Sequence, residues 1–253
     1  SASTDNTQEI LKNYGEKPEI QWISELDNGH ADGINKGFRL AKGEIVAWLN
    51  SDDIYYSKDV IQTVVSHFEV NKSHDVVYGH AAIISKNNLL LRFFLVPPYN
   101  ANRITRRNLI VQPTVFMRKK IVQAEKLTVG QIGLDYDYWL RLIVKQYSFH
   151  RINKILACDR HYPERLSFQK KDIIEQQINN TKINLGIRNP YRSRIMYPVD
   201  RFAQAKCRLT GLMHIIKLLL GHNENFAVPI FVDSYFNLIV RQTIKSIGSD
   251  FEI

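Results

Sequence analysis

Apolar residues recur along this chain in two patterns: short contiguous runs, and stripes at i, i+3 and i+4. Residues 7–14 carry a helical stripe, and Ile20-Gln21-Trp22-Ile23 reads as a strand. Ile34, Phe38 and Ala41 lie at helical spacing within residues 31–41, and the run Glu44-Ile45-Val46-Ala47-Trp48-Leu49 behind them predicts a short buried strand. A second amphipathic helix is marked by Val60, Ile61, Val64, Val65 and Phe68, and residues 75–85 read as a strand and its continuation. Such alternation argues for an α/β fold with a mostly parallel sheet and helices on both faces. Val96-Pro97-Pro98-Tyr99-Asn100 is a loop, and residues 110–117 predict a strand entered through Gln112-Pro113, where a missing N–H is tolerated. Beyond about residue 168 the composition changes. A helix is expected over 170–185, a proline-bearing linker over 188–197, a basic amphipathic helix over 201–220 and an apolar helix over 231–247. The chain therefore divides into a main domain, 1–168, and a C-terminal helical extension, 169–253.

The strand predicted at 44–49 runs directly into Asn50-Ser51-Asp52-Asp53. Two adjacent carboxylates then sit at the carboxyl end of a strand, where open α/β sheets keep their ligand crevices. Hard oxygen ligands of this kind suit Mg²⁺ or Mn²⁺, which substrate phosphates complete. The competing reading is an Asp-rich turn that caps the following helix. Gly133-Leu134-Asp135-Tyr136-Asp137-Tyr138-Trp139-Leu140-Arg141-Leu142 is the second acidic segment. On a helix Asp137 and Arg141 are four apart and pair. Asp135 either complements the helix dipole or works as an acid–base group. Trp139 is a candidate for stacking on a pyranose ring, or else part of the core.

The order Asp27-Asn28-Gly29-His30-Ala31-Asp32-Gly33-Ile34-Asn35-Lys36-Gly37, then Gly43-Glu44-Ile45-Val46-Ala47-Trp48-Leu49-Asn50-Ser51-Asp52-Asp53, resembles the nucleotide-sugar half of family 2 glycosyltransferases, which carry the GT-A fold. Ser3-Thr4-Asp5-Asn6-Thr7 resembles that family's Ser-Thr-Asp turn. The resemblance implies a GT-A nucleotide-diphospho-sugar transferase fold, a Rossmann-like mixed sheet flanked by helices. It implies Asp53 as metal ligand, with Asp52 and Asn50 toward the donor ribose or sugar. It implies Asp135 as general base toward an acceptor hydroxyl, and Gln112, in Gln112-Pro113-Thr114, at the acceptor site. Asp32 and Asn35 either line the nucleotide cleft or cap and decorate their helix. Cys158-Asp159-Arg160-His161-Tyr162-Pro163-Glu164-Arg165-Leu166-Ser167 resembles the family's late loop, which implies His161 as a metal ligand and Arg160 or Arg165 as a diphosphate clamp. Tyr162 stands in the usual His place, Leu134 where Glu is frequent, and Asn50 where many relatives have Asp. The family's opening βαβ unit has no counterpart before Ser1, so the expectation is a fragment of a longer protein with only part of its nucleobase pocket encoded.

The activity so implied is a metal-dependent, inverting transfer of a sugar from a nucleotide-diphosphate donor to a glycan or lipid-linked acceptor, as in polysaccharide and cell-envelope biosynthesis. The alternative is a basic binding module or an inactive relative. With 253 residues and 44% apolar content the chain can bury a substantial core. No run approaches the roughly 20 apolar residues that span a bilayer. Cys158 and Cys207 form no disulfide framework, which fits a reducing, cytoplasmic setting. A net charge of +9 points to phosphorylated ligands or an anionic membrane face, while no basic-aromatic nucleic-acid motif is present. The helices expected over 201–220 and 231–247 are candidates for peripheral membrane contact, or for packing on one another as a hairpin.

Overall fold

The computed structural model describes residues 3–14 and 20–187. Helices α1 (Thr7–Tyr14) and α2 (His30–Leu40) precede strands β1 (Ile45–Val46) and β2 (Ile54–Tyr55). Helix α3 (Val60–Val70), strands β3 (Val76–Ile84) and β4 (Leu90–Phe94) and helix α4 (Ala101–Ile104) follow. A 3₁₀ turn (Gln112–Thr114) leads into β5 (Phe116–Arg118), α5 (Lys119–Ala124), α6 (Leu134–Val144) and β6 (Phe149–Arg160). Helices α7 (Leu166–Gln169) and α8 (Lys171–Asn184) close the described chain.

The strands form one mixed sheet in the order β1-β5-β3-β6-β2, with β4 beside the far half of β3. Only β3 and β6 pair in parallel; the other pairs are antiparallel, so the mostly parallel expectation is corrected to a mixed sheet. All nine residues of β3 are buried, as expected for a central strand covered on both faces. One apolar layer packs α2, α5, α6 and α8 on the sheet around Trp48, Met117, Trp139 and Phe149. A smaller layer sets Val60, Val64 and Phe68 of α3 against Val77, Phe116 and Leu156 on the opposite face.

Residues 20–23 form no strand: Ile20 and Ile23 are exposed, so nothing buries the apolar run. The strand expected at 110–117 begins only at Phe116, because Gln112-Pro113-Thr114 curls into the 3₁₀ turn. The late segment expected as a loop from Cys158 is instead the end of β6 through Arg160. The helix expected over 170–185 is α8. The segments 201–220 and 231–247, with Cys207 and the membrane contact they suggested, lie outside the described residues.

Candidate active site

The acidic turn leaves β1 and is stitched to the end of β6. Asp53 is 3% exposed; its Oδ1 accepts from the Arg160 backbone N–H at 3.0 Å and its Oδ2 from Asn50 Nδ2 at 3.2 Å. Asn50 Nδ2 also donates to Gln112 Oε1 at 2.9 Å, while Gln112 Nε2 donates to the Trp48 carbonyl at 2.6 Å. Asp52 Oδ2 accepts from the Tyr162 hydroxyl at 2.9 Å. Burial pushes Asp53 up to about 6; the Arg160 N–H works against this, and the charges of Asp159 and Asp52 add to it.

The carboxyl end of β6 supplies Asp159, which is also buried. Its Oδ2 contacts His161 Nε2 at 3.0 Å, and its Oδ1 lies 2.7 Å from Arg165 Nη1. The second contact is charge pairing without hydrogen-bond alignment, since Oδ1 has no aligned donor. Arg165 is close enough to lower Asp53.

Asp135 opens α6. Its Oδ2 accepts from Asn108 Nδ2 at 3.2 Å. Burial raises its pKa, bonds from the Tyr136 N–H and from Asn108 oppose the shift, and the Asp159 charge adds to it. By surface area the residue is only half-buried, so a carboxylate enclosed by protein keeps an opening to solvent. The charge of Asp159 thus adds to the upward shift of both Asp53 and Asp135. Asp137 points elsewhere. It accepts from Thr128, Gln131 and Thr181 and meets Arg141 Nε at 3.0 Å, as the i,i+4 spacing predicts. Burial would raise Asp137, but these partners hold it below the usual range.

The other candidate residues sit in defined contacts. Trp139 is fully buried and stacks on Trp48 with centroids 5.6 Å apart, so it packs the core and cannot face an acceptor sugar. Asn35 brackets Leu127, donating to its carbonyl and accepting from its N–H, both at 2.9 Å, and so braces α2. Asp32 accepts from the Asn28 N–H at 3.0 Å and lies 3.7 Å from Lys36, the capping alternative. Gln112 spends both ends of its amide on Asn50 and Trp48, so it positions the acidic turn. Arg160 donates from Nε to the Asp52 carbonyl and from Nη1 to the carbonyls of Ser85 and Lys86 and to Asn88 Oδ1, while Arg165 stands beside Asp159. His161 Nε2 contacts Asp159 Oδ2 at 3.0 Å, and its ring meets Phe168 edge-on. Sequence reasoning missed Asp159 and Asn108. Asp159 was visible beside Arg160, but placing it needed β6 to be recognised as a strand.

Among the described residues no three His, Cys, Asp or Glu side chains are grouped to hold a metal ion alone. The donor set still fits a hard cation. A buried Asp53 crowded by Asp52 and Asp159 offers anionic oxygen to an ion whose remaining ligands are phosphates and water.

Residues 1–120 match the family model described as glycosyl transferase family 2. A Methanocaldococcus jannaschii protein named an uncharacterized glycosyltransferase is 29% identical over 64% of this chain and 60% of its own length. The hyaluronan synthase of Pasteurella multocida is 24% identical over 95% of this chain, which covers 26% of that enzyme. The chain thus spans less than two thirds of the length of these relatives. Among solved structures, Staphylococcus aureus TarS 1–349 in complex with UDP aligns over 75% of this chain and 56% of its own, with TM-score 0.53 and 17% identity. The mannosyltransferase PcManGT from Pyrobaculum calidifontis, in complex with GDP-Man and Mn²⁺, aligns over 99% of this chain and 77% of its own, with TM-score 0.50 and 14% identity. With its mixed sheet and its acidic turn, the chain carries the GT-A fold, and its residues 1–120 are similar to glycosyl transferase family 2.

Proposed function

We propose that this chain is the catalytic region of a metal-dependent, inverting glycosyltransferase that moves a sugar from a nucleoside-diphosphate donor to a saccharide or lipid-linked acceptor. The observation that supports it most is the pair of enclosed carboxylates, Asp53 and Asp135, both under the charge of Asp159. Asp53, braced by Asn50 and the Arg160 N–H, would hold Mg²⁺ or Mn²⁺. When bound, that cation offsets the charge that develops on the departing diphosphate. Arg165, beside Asp159, adds a guanidinium for the same phosphates. Asp52, oriented by Tyr162, faces the donor ribose or sugar.

Asp135 takes the proton of the acceptor hydroxyl as the new bond forms. A hydroxyl is a poor nucleophile, and a positioned base typically contributes about 10²–10⁴-fold. The raised pKa suits that role, because a carboxylate nearer neutrality is a stronger base. One base and one leaving-group site give a single displacement, hence inversion. The names of the relatives, a hyaluronan synthase and a glycosyltransferase, favour polysaccharide synthesis. Among the described residues no helix is long and apolar enough to cross a membrane, and peripheral contact through residues 198–253 belongs to this proposal.

The test uses the full chain with UDP- and GDP-sugars and Mn²⁺. Asp53→Ala should abolish metal-dependent nucleotide binding, measured by calorimetry. Asp135→Asn should keep that binding and lose transfer by at least about 100-fold. Donor affinity indifferent to Asp53, or normal transfer by the Asp135 variant, overturns the reading. A pure binding module shows neither turnover nor a response to either change.

A further inference from the structure

Asn108 is half-buried, and both ends of its amide are in use. Its Oδ1 accepts from the Ile110 backbone N–H at 3.3 Å, and its Nδ2 donates to Asp135 Oδ2 at 3.2 Å. The first bond settles the orientation of the amide. A backbone N–H can only donate, so the N–H₂ end is turned to the carboxylate. Further along, Gln112 is engaged in the same way. Its Oε1 accepts from Asn50 Nδ2 and its Nε2 donates to the Trp48 carbonyl, while Asn50 Nδ2 also reaches Asp53 Oδ2. One short span, 108–112, thus holds Asp135 at one end and the acidic turn at the other.

That span is anchored along its length. Leu109 and Ile110 are buried in the apolar cluster that also contains Leu134, Trp48 and Trp139. At its far end the Thr114 N–H and hydroxyl both donate to the Val111 carbonyl, at 3.0 and 2.7 Å, and close the 3₁₀ turn. Ahead of it, the Tyr136 hydroxyl donates to the carbonyls of Ile104 at 2.7 Å and Thr105 at 3.1 Å, and Lys182 of α8 to that of Arg106 at 3.2 Å. Virtual bonds of about 3.8 Å limit the Cα separation of Asn108 and Gln112 to roughly 15 Å. A span this short and this well pinned has little slack, so a shift at one end is felt at the other.

Burial raises the pKa of Asp135, and the charge of Asp159 on β6 adds to that rise. A protonated carboxyl cannot take the proton of a hydroxyl. The Tyr136 backbone N–H and the Asn108 side chain oppose the shift, because each donates to the ionised form. A bond to one oxygen also fixes the rotation of the carboxylate, which burial alone does not. Resting on the reading of Asp135 as acceptor base, we propose that Asn108 is a positioning residue that holds the Asp135 carboxylate for the acceptor hydroxyl, and that the span 108–112 is the strut that keeps this base in register with the acidic turn.

The test follows Asp135 directly, by ¹³C carboxyl titration of the full chain, with Asp135→Asn assigning the signal. Asn108→Ala should move the Asp135 midpoint upward. Asn108→Asp keeps the size and an oxygen for the Ile110 N–H, but it sets a second carboxylate beside the first, so the upper midpoint of the pair should rise further. A merely structural Asn108 gives the opposite order, with Asp restoring the parent midpoint. Gln112→Met releases the far end of the strut and should also move the Asp135 midpoint upward, by less than Asn108→Ala. In the parent chain the Ile110 amide should exchange as slowly as the amides of β3. With UDP- or GDP-sugars and Mn²⁺, Asn108→Ala should lower kcat about tenfold or more and leave the donor KM unchanged. An unmoved midpoint in Asn108→Ala, or full kcat despite a moved one, overturns the positioning role. Fast exchange at Ile110, or an unmoved midpoint in Gln112→Met, overturns the strut. Full transfer by Asp135→Asn instead sinks the acceptor-base reading, whereas an inactive Asp135→Asn with an unmoved Asn108→Ala midpoint leaves that reading intact and removes only Asn108.

Discussion

At the scale of single residues, the acidic turn sets function against stability. Asp53 titrates near 6 in the folded chain against roughly 4 for a free aspartate, so folding favours its protonated form. The stability this contributes is complete below about pH 4 and is lost as pH rises through 6. Two units correspond to about 3 kcal/mol at most. Asp53→Asn removes the buried charge but opposes one amide N–H₂ to that of Asn50, which returns about 1 kcal/mol. The variant should melt higher than the parent at pH 8, with the gain vanishing by pH 5. A loss of equal size at both pH values would show that burial does not penalise the carboxylate. Asn35 behaves in the opposite way. Asn35→Ala leaves both backbone groups of Leu127 buried without partners and should cost about 2–4 kcal/mol in urea unfolding, with nucleotide affinity unchanged.

At the scale of elements, what was legible followed from local pattern. The stripes within 31–41 and 57–68 became α2 and α3, the buried run at 75–85 became β3, and the Asp137–Arg141 spacing gave its ion pair. The place of Asp135 in the first turn of α6 was legible because a helix N-terminus announces itself in sequence. Strand β6 was not. Its exposure pattern is irregular, with Asn153 and Lys154 exposed mid-strand, and its order comes from pairing with β3 more than 70 positions away. Missing β6 put Asp159 and Arg160 in an expected loop, whereas they end a strand. Gly79 shows the same non-local logic. An added Cβ would lie 2.5 Å from Leu156 Cγ and 2.8 Å from the Lys154 carbonyl, where the β3–β6 register shifts. Gly79→Ala should therefore cost about 2–4 kcal/mol. At Gly133 the clash is 2.7 Å to Ile174 Cγ2, the end of a half-buried side chain that can turn away. Gly133→Ala should cost only about 1 kcal/mol. Equal unfolding midpoints for the two variants would show that β3 and β6 have room to part.

At the scale of the whole molecule, histidines govern the response to acid. His80 on β3 is 1% exposed, and burial lowers it to about 4; the Asn153 bond partly opposes this and Arg151 adds to it. Its Nδ1 accepts from the Val96 N–H at 3.1 Å, which assigns the tautomer and leaves Nε2–H to donate to Asn153 Oδ1 at 3.2 Å. Protonation at Nδ1 would turn that acceptor into a second donor. At the start of β3, His67 contacts His74 at 2.9 Å and His74 stacks on His150, with Arg118 and Asp75 alongside. Burial lowers all three, and the neighbouring imidazoles lower His67 and His150 further. A depressed folded pKa means the unfolded chain takes up protons first, so stability is full above about 6.5 and falls as pH drops toward 4. His80 carries up to about 3 kcal/mol of that loss, and the half-exposed trio carries less because solvent screens it. Asp53 runs the other way over pH 4–6, so the net fall from pH 7 to 5 measures the difference. Glutamine can reproduce both bonds of His80 without titrating. His80→Gln should therefore begin less stable at pH 7, through imperfect packing, yet lose about 1–2 kcal/mol less than the parent between pH 7 and 5 in urea unfolding. An unchanged acid loss would move the effect from the core of the sheet to the histidine trio at its edge.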